Sequence, residues 1–166
     1  MSVKIIVAMD EDRGIGKNGQ LPWHLPEDLK RFSQLTQKQP VIMGRGTAES
    51  LPKWLPNRYN IVLSRSLEPL HGMSVDYATT KVRYLQDLNQ ALALVSYDCW
   101  IIGGQSIYEL ALPVADWLYV TYVNGVFDCD RFFPDFEDEF KVVSVEDHIN
   151  KKPLGFSYVS YRRVYT

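Results

Sequence analysis

"VKIIVAM", residues 3–9, is an almost unbroken apolar run rich in β-branched side chains. A strand with one wet face alternates polar and apolar positions. A continuous run instead marks a strand buried on both faces, as in the parallel sheets of α/β proteins. Working outward, "PVIMG" (40–44), "YNIVLS" (59–64) and "CWIIGG" (99–104) repeat the pattern, and "WLYVTYV" (117–123) reads as another strand. Helical segments lie between them. Pro26 opens one helix, and "YLQDLNQALALV" (84–95) puts Leu85, Leu88, Leu92 and Val95 on one face of a second. "SIYELALPVA" (106–115) begins with Ser106 and Glu109 at the spacing of a capping box. "EFKVVSV" (139–145) and "GFSYVSYRRV" (155–164) suggest a closing antiparallel pair. The alternation predicts an α/β domain around a largely parallel sheet, and such sheets collect ligands at the carboxyl ends of their strands.

The bulk composition narrows the partners. A chain of 166 residues, 46% hydrophobic and 23% charged, is expected to form one domain over residues 1–166 with a substantial core. Net charge is −2 with Lys and Arg scattered, which argues against nucleic acid or an anionic membrane as partner. The apolar runs are too short to span a bilayer, and the N-terminus "MSVKIIVAMDEDRG" lacks the apolar segment of a signal peptide. Cys99 and Cys129 form neither a disulfide framework nor a metal spacing, so a reduced, cytoplasmic protein is expected. His24, His71 and His148 lack ligand spacing and no Ser or Cys sits in a nucleophile elbow, so no metal is predicted.

Two strands run straight into glycine, in "VIMGRGT" (41–47) and "WIIGGQSIYEL" (100–110). Glycine lets a backbone approach a ligand closely, and a helix starting after it offers free N–H groups to phosphate oxygens. Arg45 adds a cationic fork suited to phosphate, and "LSR" (63–65) ends another strand with a hydroxyl and a second arginine. Each motif alone also fits a plain tight turn. Together they suit a cofactor with more than one phosphate.

The helix in "GQLPWHLPEDLKRF" (19–32) poses a different problem. Leu25, Leu29, Phe32 and Thr36 share one face, with Glu27, Lys30, Arg31 and Gln34 on the other, and Asp28 falls inside the apolar stripe. A carboxylate in the first turn gains roughly 0.3–1 kcal/mol from the helix dipole. Taking it from water unpaired costs several kcal/mol. Such a group must be solvated, protonated, or paired with a cation or a two-donor ligand. A heterocycle offering two N–H groups would satisfy both oxygens at once.

The run "GIGKNGQLPWHLPEDLKRF", followed by "VIMGRGTAESL", "LPNRYNIVLSR", "WIIGGQSIYELALP" and "LYVTY", resembles bacterial dihydrofolate reductase over nearly the whole chain. The resemblance implies hydride transfer from NADPH to dihydrofolate, giving the tetrahydrofolate of one-carbon metabolism. It implies one mixed, mostly parallel eight-stranded sheet with an antiparallel C-terminal strand, flanked by about four helices. Asp28 would grip the pterin's amino and ring N–H groups with help from the Thr121 hydroxyl, and Trp23 would hold a water beside them. The backbone carbonyls of Ile6 and Ile102 would line the same pocket. Leu29, Phe32, Leu51 and Leu55 would clasp the benzoyl group, and Arg58 would pair with the glutamate tail. Ala8 and Ile15 would hold the nicotinamide amide through their backbones, with Tyr108 beside that ring. Gly104, Gln105, Ser106 and Ile107 would meet the pyrophosphate. Arg45, Thr47, Ser64 and Arg65 would lie on the adenosine side, with Gly44, Gly46, Leu63 and Gly103 in the same cofactor-binding set. The family also joins its paired glycines by a cis peptide, placing one at Gly103–Gly104.

Three features bear on the lid and on cofactor choice. Leu21 stands where the family often carries Met in its mobile active-site loop, so it joins the catalytic set. Gly14, Gly16 and Gly19 suit that loop to opening and closing, and Asp130 matches the position of a later loop that meets it. Gly46 and Ala48 replace the larger side chains common in relatives, leaving Arg65 to select NADPH. The resemblance also implies binding of antifolate-type inhibitors and a monomer. A related pyrimidine or pterin reductase on the same scaffold, or a non-catalytic folate-binding module, are the alternatives.

Overall fold

A computed structural model of the chain describes residues 1–70 and 78–165; His71 lies outside them. Its strands in chain order are β1 (Val3–Met9), β2 (Gly14–Gly16), β3 (Pro40–Gly44), β4 (Tyr59–Leu63) and β5 (Lys81–Leu85), then β6 (Cys99–Gly103), β7 (Trp117–Val123), β8 (Arg131–Phe132), β9 (Phe140–His148) and β10 (Phe156–Arg163). The helices are α1 (Pro26–Thr36), α2 (Arg45–Ser50), α3 (Leu88–Leu94) and α4 (Gln105–Ala111). Eight strands form one sheet in the order β5-β4-β3-β6-β1-β7-β10-β9, parallel except that β10 runs against both β7 and β9. Among the described residues no helix is long and apolar enough to cross a membrane.

The apolar runs sit where continuous hydrophobicity requires. All five residues of β3 are buried: Ile42 joins the cluster that contains Ile107 and Ala111 of α4, while Val41 and Met43 join Trp54 and Trp100 on the opposite face. Strand β4 divides the same way, with Ile61 and Leu63 on one side and Val62 on the other. Burying both faces leaves the loops at the strand ends as the places where polar chemistry can gather.

The sheet opens at one point. Strand β1 pairs with β6 only from Val3↔Cys99 to Ile5↔Ile101, yet follows β7 as far as Met9↔Tyr122. On the other side of β6, the register with β3 slips between Ile42 and Met43, skipping Ile102. Strands β1 and β6 therefore part beyond Ile5 and Ile101. The chain moves one way across the sheet from β1 to β5 and returns through β6, so this parting lies at the switch in strand order.

Several local expectations are corrected. Residues 84–95 are not one helix: Tyr84 and Leu85 belong to β5, and α3 starts after Asp87, whose carboxylate accepts the Gln90 N–H at 2.9 Å. Ser106 does not cap its helix. Gly104 is the N-cap, and Glu109 instead accepts from Gln105 Nε2 at 3.0 Å. That helix ends at Ala111 and continues as a 3-10 turn over Leu112–Val114. The loop of residues 10–20 contains β2, paired antiparallel with β8. Ala48 is fully buried and shares a cluster with Trp54, which meets Tyr84 edge-on.

Candidate active site

The site gathers at the carboxyl ends of the parallel strands. Helix α1 starts with Pro26 at its first position, which needs no N–H partner there, and carries Glu27 and Asp28 in its first turn. Asp28 is mostly buried, and its Oδ1 accepts the Thr121 hydroxyl at 2.6 Å from β7. Thr121 lies in a row across three strands, paired with Ala8 of β1 and with Tyr158 of β10. Burial pushes the Asp28 carboxyl above the usual carboxylate range; the Thr121 hydrogen bond and the Arg31 cation pull it back. Among the described residues no other hydrogen bond reaches this carboxylate, leaving Oδ2 as a strong, unused acceptor.

The apolar stripe of α1 is not uniformly covered. Thr36 is fully buried and Phe32 is half-buried against the Trp54 cluster, along with Leu51 and Leu55. Leu29, expected inside, is 52% exposed. Leu25, three residues before Asp28, is buried with Trp23 and Phe156, so the uncovered part of the stripe lies at Leu29. Trp23 is buried, edge-on to Phe127, and its indole Nε1 has no hydrogen-bond partner. Arg31 does not extend into solvent as expected: it lies over the Tyr158 ring, 4.1 Å from the centroid. A helical wheel records only one helix, so an aromatic ring arriving from β10 was invisible to it.

Arg58 is buried at the far end of α1. Its Nη1 donates to Thr36 Oγ1 at 2.9 Å and its Nε to the Pro56 carbonyl at 2.9 Å. Burial lowers its pKa, and Nη2 has no partner among the described residues.

The two glycine turns face each other. A methyl group on Gly44 would lie 3.0 Å from Ile107 Cγ1, and one on Gly104 would lie 3.5 Å from Thr47 Oγ1. One on Gly46 would meet nothing. Gly103 has φ +119°, a value open to glycine, and a Cβ there would press on the Tyr108 ring. Gly103 and Gly104 are joined by a cis peptide, as the resemblance implied. The starts of α2 and α4 thus lie close together, with Ile107, Tyr108 and Thr47 set against the glycines and only Gly46 facing open space. Arg45 and Arg65 stand on the β3–β4 side. Arg45 is partly engaged, with Nε on Glu49 at 3.2 Å and Nη1 on the Glu68 carbonyl at 2.8 Å. Ser64 is half-buried after the buried Leu63, and Arg65 is exposed. Tyr108 is buried, its hydroxyl donating to the Ile6 carbonyl at 2.8 Å. Gln105 and Ser106 open α4, while Ile102 is half-buried where the strands part.

The loop between β1 and α1 is fastened at its base. Asp10, 1% exposed, accepts from the N–H groups of Asp12 (2.9 Å), Gly14 (2.7 Å) and Phe127 (3.0 Å), and from the Cys129 thiol (3.6 Å). A Cβ on Gly14 would lie 2.5 Å from Cys129 Sγ, so the thiol fills the space a side chain would take. Further out, Asp130 accepts from the Asn18 N–H at 3.1 Å and donates its own N–H to Gly16 at 2.9 Å. Ile15, half-buried, is fixed by this pairing, whereas Leu21 beyond it is 48% exposed. Sequence reading missed Asp10. An acid directly after a buried strand, two residues before another acid and four before glycine, carries the signature of an Asx turn.

Comparison with known proteins gives the same answer. The family described as dihydrofolate reductase matches residues 2–163. The chain is 38% identical over 164 residues to a dihydrofolate reductase of Bacillus subtilis, covering 97% of this chain and 94% of that one. It is 39% identical over 162 residues to that of Haemophilus influenzae, covering 94% and 96%. The solved dihydrofolate reductase of Enterococcus faecalis, in complex with NADP(H) and the compound RAB-propyl, superposes with a TM-score of 0.80 at 29% identity, covering 99% of this chain and 97% of that one. With a family match over residues 2–163 and similarities spanning both chains almost end to end, this protein belongs to the dihydrofolate reductase family.

Proposed function

We propose that Asp28 is the residue on which this chain's reaction, the reduction of dihydrofolate by NADPH, depends. The observation that carries the reading is the half-satisfied carboxylate: one oxygen takes the Thr121 hydroxyl, and the other is open beside an uncovered stretch of α1. NADPH supplies the hydride. The chain's side chains hold, orient and screen. Asp28 accepts two N–H groups from the pterin, as a carboxylate does when it recognises a flat two-donor partner. It polarises the ring without touching the nitrogen that gains the proton. The Trp23 indole N–H, buried and unpartnered, donates to a water that links the carboxylate to the pterin oxygen. Proton delivery goes through water admitted by the lid.

The remaining site residues divide between the two ligands. Leu29, Phe32, Leu51 and Leu55 clasp the benzoyl group, and the free Nη2 of Arg58 pairs with the glutamate carboxylate. Ile6, Ala8, Ile15 and Ile102 present backbone groups where β1 and β6 part, with Tyr108 beneath the nicotinamide. The two turns from Gly44 to Thr47 and from Gly103 to Ile107 take the pyrophosphate, and Leu63, Ser64 and Arg65 meet the adenosine end with Arg45. Leu21 belongs to the lid. The chain acts as a single domain over residues 1–166, as a cytoplasmic monomer, and the same pocket takes antifolate-type inhibitors. Loss of NADPH absorbance on mixing protein with dihydrofolate tests the activity, and no loss would refute it. Arg58→Ala is expected to raise the KM for dihydrofolate about tenfold or more, for one charge-assisted hydrogen bond. A change confined to NADPH affinity would remove Arg58 from the substrate site.

A further inference from the structure

The corner below Asp28 holds a cation that the roles above leave unused. Arg31 follows Asp28 by three residues, so the two side chains are neighbours on one helical surface. Its guanidinium lies over the Tyr158 ring at 4.1 Å, and its Nη1 is buried with no hydrogen-bond partner. Tyr158 pairs in register with Thr121, which donates to Asp28. Carboxylate, hydroxyl, ring and guanidinium therefore form one closed arrangement across α1, β7 and β10. Arg31 makes no ion pair with Asp28 in it, and acts on that carboxylate only through space. A planar guanidinium suits such a seat, because it stacks on an aromatic face and is more weakly hydrated than an ammonium.

We propose that Arg31 is a positioning residue for the reductase, a fixed cation seated on Tyr158 whose charge sets the pH range over which the enzyme turns over. This rests on the role given to Asp28 above. Reduction takes up a proton at the pterin, so the rate falls as pH rises past the point where the site holds that proton. A cation buried beside the site opposes proton uptake whichever group carries it. Removing the charge raises the site's proton affinity and extends activity to higher pH.

The other charged groups at this corner, from α1 and β9, are already engaged, and the remaining ionisable group is the Tyr158 phenol. From α1, Glu27 is bonded to Lys151 at 2.6 Å and feels His148; from β9, His148 is bonded to Glu146 at 2.9 Å. From β10, the Tyr158 phenol is pushed up, first by burial and then by Asp28. Among the described residues Arg31 is the cation that acts on Asp28 itself.

The test is the pH dependence of the hydride-transfer rate, followed by stopped flow with saturating NADPH and dihydrofolate, for the whole protein and its variants. Arg31→Gln is expected to move the midpoint upward by on the order of half a pH unit. Arg31→Lys, which keeps the charge, should stay near wild type. Tyr158→Phe keeps the ring and should leave the midpoint in place. Tyr158→Leu removes the seat and should shift it in the direction of Arg31→Gln, which keeps the proposal testable should that variant fail to fold. An unchanged midpoint in Arg31→Gln or Tyr158→Leu, at any level of activity, overturns the proposal. Asp28→Asn separates this from the underlying reading. If it retains wild-type rate and profile, the role of Asp28 falls; if it loses the hydride step while Arg31→Gln leaves the midpoint unmoved, only the role of Arg31 falls.

Discussion

Two acids lie close to the ends of the central strands, and they have been treated oppositely by the fold. Asp10, just after β1, is nearly sealed and accepts three backbone N–H groups and a thiol. Asp28, at the start of α1, is partly buried and receives one hydroxyl, with its second oxygen left open. A carboxylate whose lone pairs are all used holds structure together. One with an oxygen left open can exchange water for a ligand's N–H groups on binding. The two acids differ in unspent acceptor capacity and in how far each is withdrawn from the surface.

The sharpest way to break this comparison is to swap the two failures. Asp10→Ala leaves three N–H donors in and around the β1–α1 loop without their acceptor. It is expected to cost about 3–5 kcal/mol, seen as a Tm lower by roughly 10 °C or more in a chain of this size. A Tm within a degree or two of wild type would show that Asp10 is dispensable. Asp28→Asn should do the reverse: the fold and NADPH binding persist while hydride transfer at neutral pH slows about 100- to 1,000-fold, measured by stopped flow. Thr121→Val removes the one donor that Asp28 has. A hydrogen bond to a charged group contributes about 1.5–3 kcal/mol, so kcat/KM should fall about 10- to 100-fold with little change in NADPH affinity.

The smallest effect sharpens the comparison most. Asp28 titrates above its ordinary value near 3.8 because burial disfavours its ionised form. Its contribution to stability is therefore fully present below that ordinary value and lost as pH rises through the higher, folded one. Asp28→Asn, which cannot ionise, should match wild type in Tm near pH 3.8 and exceed it at neutral pH. The gain should be a few degrees, since about 1 kcal/mol moves Tm by roughly 2–4 °C in a chain of this length. Thermal melts of the ligand-free protein across that range check it; a variant less stable at neutral pH would mean the ionised acid is net favourable to the fold.

The fold was legible wherever burial on both faces leaves an unbroken apolar run: β1, β3, β4, β6 and β7 could be read directly. Strand β5 was not, because "KVRYL" sits at one end of the parallel series, half-exposed, and its Tyr84 and Leu85 fell in phase with the helix that follows. Asp28 was legible as an acid out of place in an apolar stripe, and its partner Thr121 came through the family resemblance. Arg31 was not. On the helix alone it belongs to the polar side, and only the register that sets Tyr158 beside Thr121 brings a ring under it. The Asp10 anchor was hidden for a similar reason, since two of its donors, Phe127 and Cys129, are more than a hundred residues away.

The thiol of Cys129 occupying the place of a side chain at Gly14 ties these two distant positions together sterically. Bulk added to the first must be matched by bulk removed from the second, or the loops bearing them will be pushed apart. Anyone grafting another reductase's lid onto this scaffold has to transplant residue 129 along with it.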